Sequence, residues 1–170
     1  MSLYVQWVND IKRHCSSKWL TDSQTQAFEA IRNNWAGEPF VCLYGASGSG
    51  KTFIGHLLVK ECGYLYTQDL REVSEGDHQI VLDGGEYSRL MRPLLQNMGW
   101  KRIIMLMRKV PRDPMPTVHL SLTERDVKQF QNTATRNHII PTFQCSLETT
   151  DLNQWIRSEA VVRGHNHGVN

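Results

Sequence analysis

The stretch "GASGSGKT" (residues 45–52) stands between the apolar run "PFVCLY" (39–44) and the segment "FIGHLLVKE" (53–61). A short apolar run, a glycine-rich turn and an amphipathic segment in that order predict a buried strand that passes through a loop into a helix. The spacing G-x-x-x-x-G-K-[ST] is matched in full by Gly45, Gly50, Lys51 and Thr52. Glycines at 45, 48 and 50 have no Cβ and tolerate positive φ, so successive backbone N–H groups can close around phosphate oxygens. The helix that starts there adds the positive end of its dipole. A merely flexible glycine–serine turn would need neither the strand before it nor the helix after it.

The whole stretch, Gly45, Ala46, Ser47, Gly48, Ser49, Gly50, Lys51 and Thr52, is therefore the expected phosphate cradle of a bound nucleotide. Lys51 is expected to reach the β and γ phosphates as a point charge, and the Thr52 hydroxyl to ligate Mg2+. The strand candidate "QIVLD" (79–83) ends in Asp83, where a carboxylate at the strand's C-terminal edge can organise the same cation. The alternative for Asp83 is a plain Asp-Gly turn.

Working outward, residues 3–14 place Leu3, Val5, Trp7, Val8 and Ile11 at spacings one helix face can gather. Thr21 and Gln24 stand in capping-box spacing at the head of "TDSQTQAFEAIRNNW" (21–35), which predicts a second helix. After the loop come a helix over 51–62 closed by Gly63, then "YLYT" (64–67), then "QIVLD". A helix from about 86 to 98 follows, with "RIIMLM" (102–107), "TVHLSL" (117–122) and a helix opened by Thr123 that runs to about Asn132. Five apolar strands separated by helices or crossover loops argue for an α/β domain of three layers, with a central, mainly parallel five-stranded sheet. The expected organisation is N-terminal helices over 1–36, a nucleotide-binding core over 37–140, a C-terminal segment with a short helix over 141–162, and a disordered tail over 163–170.

The order of "PFVCLYGASGSGKTF", "IVLDGGE", "RIIMLMRKVPRD" and "VHLSLTERDVKQF" resembles the core of P-loop NTPases of the additional-strand class: AAA+ proteins and their replication-initiator-like and signalling relatives. The resemblance covers about residues 20–133, and its specific motif is the loop. It implies ATP and Mg2+ as ligands and hydrolysis as the reaction. It also implies a catalytic glutamate after the metal aspartate. Glu86 is the candidate, although Gly84 and Gly85 intervene, and an acid favoured at a helix N-terminus is the alternative reading. A polar or basic residue ending the fourth strand senses the γ phosphate in such proteins, which by position is Arg108. The helical lid that usually follows the core is absent or reduced to "LNQWIRSEAVV" (152–162), with Arg157 and Arg163 as remnants of a second sensor or as a solvated helix face.

Composition bounds the partners. At 170 residues, 40% apolar and 21% charged, the chain fits one globular domain with a real core, and the net charge of +2 is too mild to imply nucleic acid or an acidic membrane as a partner, although it leaves room for a local basic face. Cys15, Cys42, Cys62 and Cys145 form no C-x-x-C pair and read as reduced thiols. No stretch approaches the roughly 20 apolar residues of a membrane span, so a cytoplasmic protein is expected. The expected function is an ATP-dependent switch or assembly factor acting on a protein partner, a second copy or a DNA-processing complex. The alternative is a small-molecule or nucleotide kinase whose Arg89, Arg92, Arg108 and Arg112 clamp two phosphates.

Overall fold

The computed structural model describes residues 2–35, 37–84, 91–140 and 149–166. Helix α1 (Leu3–His14) starts where the Ser2 hydroxyl accepts from the Val5 amide, and it buries Trp7 and Ile11. Helix α2 (Asp22–Glu29) opens on the expected capping box: Thr21 Oγ1 accepts from the Gln24 amide, and the Gln24 side chain accepts from the Thr21 amide. It runs on into one turn of π-helix, Ala30–Asn34.

The sheet strands are β1 (Phe40–Tyr44), β2 (Leu65–Thr67), β3 (Gln79–Asp83), β4 (Arg102–Met107) and β5 (Thr117–His119). All pairings are parallel and the order is β2-β3-β4-β1-β5. The connecting helices are α3 (Lys51–Cys62), α4 (Met91–Asn97) and α5 (Glu124–Arg136), and α6 (Leu152–Asn166) follows. The parallel α/β architecture expected from the sequence is the one the chain has. Strand β5 is shorter than "TVHLSL" suggests, yet the Leu120 amide still donates to the Tyr44 carbonyl at 2.8 Å and both Leu120 and Leu122 are buried. The apolar pattern there marks burial against the core more than ladder pairing. Of the helix expected over 86–98, only the part from Met91 falls among the described residues.

Side chains alternate across the strands, as the pleat demands. Val41, Leu43, Val81, Ile104 and Leu106 face one cluster, which holds most of the helices' buried residues, including Trp7, Phe28, Leu57, Phe130 and Trp155. Phe40, Ile80, Leu82, Ile103 and Met105 face a smaller cluster closed by Leu95 of α4 and by Trp100. Strand burial on both faces explains why these segments read as continuous apolar runs rather than as alternating ones.

Two buried charges lock the layers together. Arg102, at the start of β4, donates to the carbonyls of Ile31 at 2.9 Å and Trp35 at 2.6 Å, and to the Tyr64 hydroxyl at 3.0 Å. It thereby ties the start of β4 to the π turn and the residue that ends it. Asp126, in the first turn of α5, accepts from the amides of Thr123 and Ser23 and from both hydroxyls, at 2.6–3.0 Å. Burial alone would raise its carboxyl; the hydrogen bonds from Thr123 and Ser23 outweigh burial and hold it well below the usual carboxylate range.

Candidate phosphate and metal site

Parallel register brings the motif residues to one edge. Tyr44 of β1 pairs with Met107 of β4, and Asp83 of β3 pairs with Leu106, so Gly45, Gly84 and Arg108 all leave the sheet at its carboxyl edge. That edge is where ligands of such sheets bind, beside the strand at which the winding reverses. Here the reversal is at β1, flanked by β4 on one side and β5 on the other.

Within the loop, Gly48 has φ +72° and Gly50 has φ +91°, conformations that side chains rarely adopt. Gly45 is needed for space instead: a Cβ there would collide with the Leu120 carbonyl oxygen. Cβ atoms at Gly48 and Gly50 would likewise strike the Asp151 carboxylate and the Gln24 amide. The turn is thus enclosed by segments remote in sequence. Gln24 Nε2 donates to the Ser49 carbonyl at 3.3 Å, and the Leu152 amide, at the start of α6, donates to the Gly48 carbonyl at 3.1 Å.

Lys51 is buried, and its Nζ donates to the loop's own carbonyls, Gly45 at 2.8 Å and Ala46 at 2.6 Å, and to Ser49 Oγ at 3.3 Å. Burial pushes its ammonium below the ordinary lysine range; Asp83 works against that, Arg108 adds to it, and Asp151 opposes it. The first amides of α3 open onto the same turn, which closes on Gly50. A lysine ammonium folded into a glycine turn at a helix N-terminus supplies the components of an anion site.

Thr52 Oγ1 donates to Asp83 Oδ2 at 2.9 Å, and the Tyr66 hydroxyl donates to the same oxygen. Burial pushes the Tyr66 phenol far above its usual range, and its hydrogen bond to Asp83 and that carboxylate's charge add to the effect, so it remains a donor. A hydroxyl and a carboxylate are hard oxygen ligands, and their juxtaposition fits Mg2+ held mainly by phosphate and water. Among the described residues no three His, Cys, Asp or Glu side chains converge as an all-protein metal cage.

Above these groups lies a cavity of about 760 Å³, walled by the loop, by α1 (Tyr4, Lys12) and by α6 (Asn153, Ile156). Arg108 and Lys109 line it from the end of β4, both exposed. Glu86 and Arg89 lie outside the described residues. Arg92 does not reach the cavity: its guanidinium lies 5.7 Å from the Phe40 ring, at the opposite edge of the sheet. Of the four arginines of the kinase alternative, Arg108 lines the cavity and Arg92 does not. Arg157 stacks 5.0 Å over the Tyr4 ring and ties α6 to α1.

Sequence reading placed Lys51, Thr52, Asp83 and Arg108 at this edge, and the structure brings them together. It missed Gln24, Tyr66, His56 and Asp151. Gln24 carried a signal only as a capping residue, and Asp151 only as an acid ahead of a helix, where it accepts from the Gln154 amide at 3.0 Å. Tyr66 and His56 sit in an ordinary strand and helix with no motif to mark them.

The sequence matches no family model and no curated protein. Among solved structures, the AMPPCP-bound DnaA of Aquifex aeolicus is similar, with a TM-score of 0.50 and 16% identity over 86% of this chain. This chain spans 65% of the length of that one. At such identity the likeness is one of fold.

Proposed function

We propose that this chain is a nucleotide-dependent switch of the AAA+ type, which binds ATP with Mg2+ at the carboxyl edge of its sheet and hydrolyses it while acting on a macromolecular partner. One observation carries the proposal. A buried lysine in a left-handed glycine turn spends its donors on the turn's own carbonyls, beside a threonine–aspartate pair suited to a cation. The AMPPCP bound to the DnaA neighbour supports the same reading.

In this reading Lys51 exchanges the carbonyls of Gly45 and Ala46 for β and γ phosphate oxygens, and the amides of the 45–52 stretch other than Gly45 and Ser49, which donate to the Met107 and Ala46 carbonyls, hold the phosphate chain. Thr52 and Asp83 hold the magnesium site, and the cation supplies charge neutralisation on the phosphates. Arg108 approaches the γ phosphate from the end of β4, and Glu86 orients the attacking water. The cavity wall contributed by α1 and α6 receives the base and ribose. The partner is a protein, a second copy of this chain or a DNA-bound complex. With Arg92 turned toward Phe40, a kinase reading retains fewer arginines for an acceptor.

Calorimetry with ATP and Mg2+ tests the assignment. Wild-type protein is expected to bind, and Lys51→Ala to lose affinity by about 100-fold, the equivalent of about 2.7 kcal/mol. Unchanged affinity in Lys51→Ala overturns it. Phosphate release measured alone, with DNA and with a panel of small acceptors then separates switch from kinase.

A further inference from the structure

The metal carboxylate has a partner that no motif assigns. We infer that Tyr66 is a positioning residue: its hydroxyl holds the Asp83 carboxylate in one orientation beside Thr52, so that a divalent cation meets a preset ligand. The inference rests on the nucleotide and magnesium reading above.

Register puts Tyr66 there. It pairs with Val81 in the parallel β2–β3 ladder, and Asp83, two residues beyond Val81, presents its side chain on the same face. The phenol therefore reaches along that face to Asp83 Oδ2, the oxygen that also accepts from Thr52. When the Thr52 oxygen turns to a cation, the donation from Tyr66 remains as a restraint on that carboxylate.

The ring is itself held. His56, one helical turn beyond Thr52 on α3, stacks on Tyr66 with centroids 4.6 Å apart and planes 14° from parallel. Gly55 lets α3 lie this close: a Cβ there would stand 3.0 Å from Leu106 Cδ1, 3.1 Å from Val81 Cγ1 and 3.5 Å from Tyr66 Cε2. A residue that only filled space between helix and sheet would need the ring and not the hydroxyl. Partners of this kind behind a metal ligand set its orientation, and their loss typically weakens metal binding by about 10- to 100-fold.

Tyr66→Phe keeps the ring and the His56 stack and removes only the donor. In the full-length chain, ATP affinity is measured by calorimetry in EDTA, and Mn2+ affinity of the nucleotide complex by the electron paramagnetic resonance signal of free Mn2+. The variant is expected to bind ATP in EDTA within about twofold of wild type, and to bind Mn2+ about tenfold more weakly. Equal Mn2+ affinity overturns the inference. So does a parallel loss of both affinities or a failure to fold, because either would assign the hydroxyl to the architecture. If wild-type protein binds no ATP with or without the cation, the nucleotide reading fails first and the role of Tyr66 goes with it. Wild-type binding with an unaffected variant sinks the inference alone.

Discussion

Single buried charges set the terms at the residue scale. Asp126 is 2% exposed and links α2 to α5 through Ser23 and Thr123, so removing it leaves several donors without an acceptor. Asp126→Ala is expected to cost about 3 kcal/mol in urea unfolding. The folded-state pKa of Asp126 is depressed. Its contribution is therefore complete above an unfolded carboxylate value of about 4 and is lost as pH falls through the lower folded value. The gap between wild type and Asp126→Asn should accordingly be full near pH 7 and should shrink in melts taken below about pH 4. A gap that stays constant down to acid pH would contradict the ionic role. Lys51 illustrates the opposite balance, in which burial disfavours the charge and two carboxylates preserve it. An anion that meets the loop would reinforce the charged form.

At the scale of the element, α3 is bounded by two left-handed glycines, Gly50 at its start and Gly63 at its end. The second is a left-handed C-cap of the αL kind: the Gly63 amide donates to the Val59 carbonyl at 3.2 Å, and the Tyr64 amide donates to Leu58 at 3.4 Å. Nothing lies within 4 Å of a Cβ built on Gly63, which has φ +74°. Gly63→Ala should thus report backbone strain without steric collision, lowering stability by about 1 kcal/mol in thermal or urea melts. A neutral result would mean that the helix end relaxes into another cap. The same element carries Lys51, Thr52 and His56 at its working end, all within about 1.5 turns. Its position against the sheet consequently decides how Lys51 and Thr52 are spaced from Asp83.

The whole molecule couples the loop to distant segments, since α2, β2 and α6 all touch the loop or the Asp83 carboxylate. A ligand that binds only this assembled arrangement stabilises the fold by mass action. With ATP and Mg2+ at about 100 times the dissociation constant the gain is about 2.7 kcal/mol, or about 5–10 °C in Tm for a domain of this size. Differential scanning fluorimetry should show that rise in wild type and only about 1–2 °C in Lys51→Ala; a flat wild-type response would count against nucleotide binding. Much of this architecture is legible in the chain itself. The loop, the strands "QIVLD" and "RIIMLM", the Thr21 and Thr123 caps and the Gly63 stop follow from spacings within a dozen residues, because periodicity, capping and positive φ are local physics. Tertiary structure alone decided that Tyr66 reaches Asp83, that Gln24 and Asp151 enclose the glycine turn, and that Arg92 turns away from the cavity. Those contacts depend on strand order, register and the approach of α3 to the sheet, which arise from packing among segments far apart in the chain.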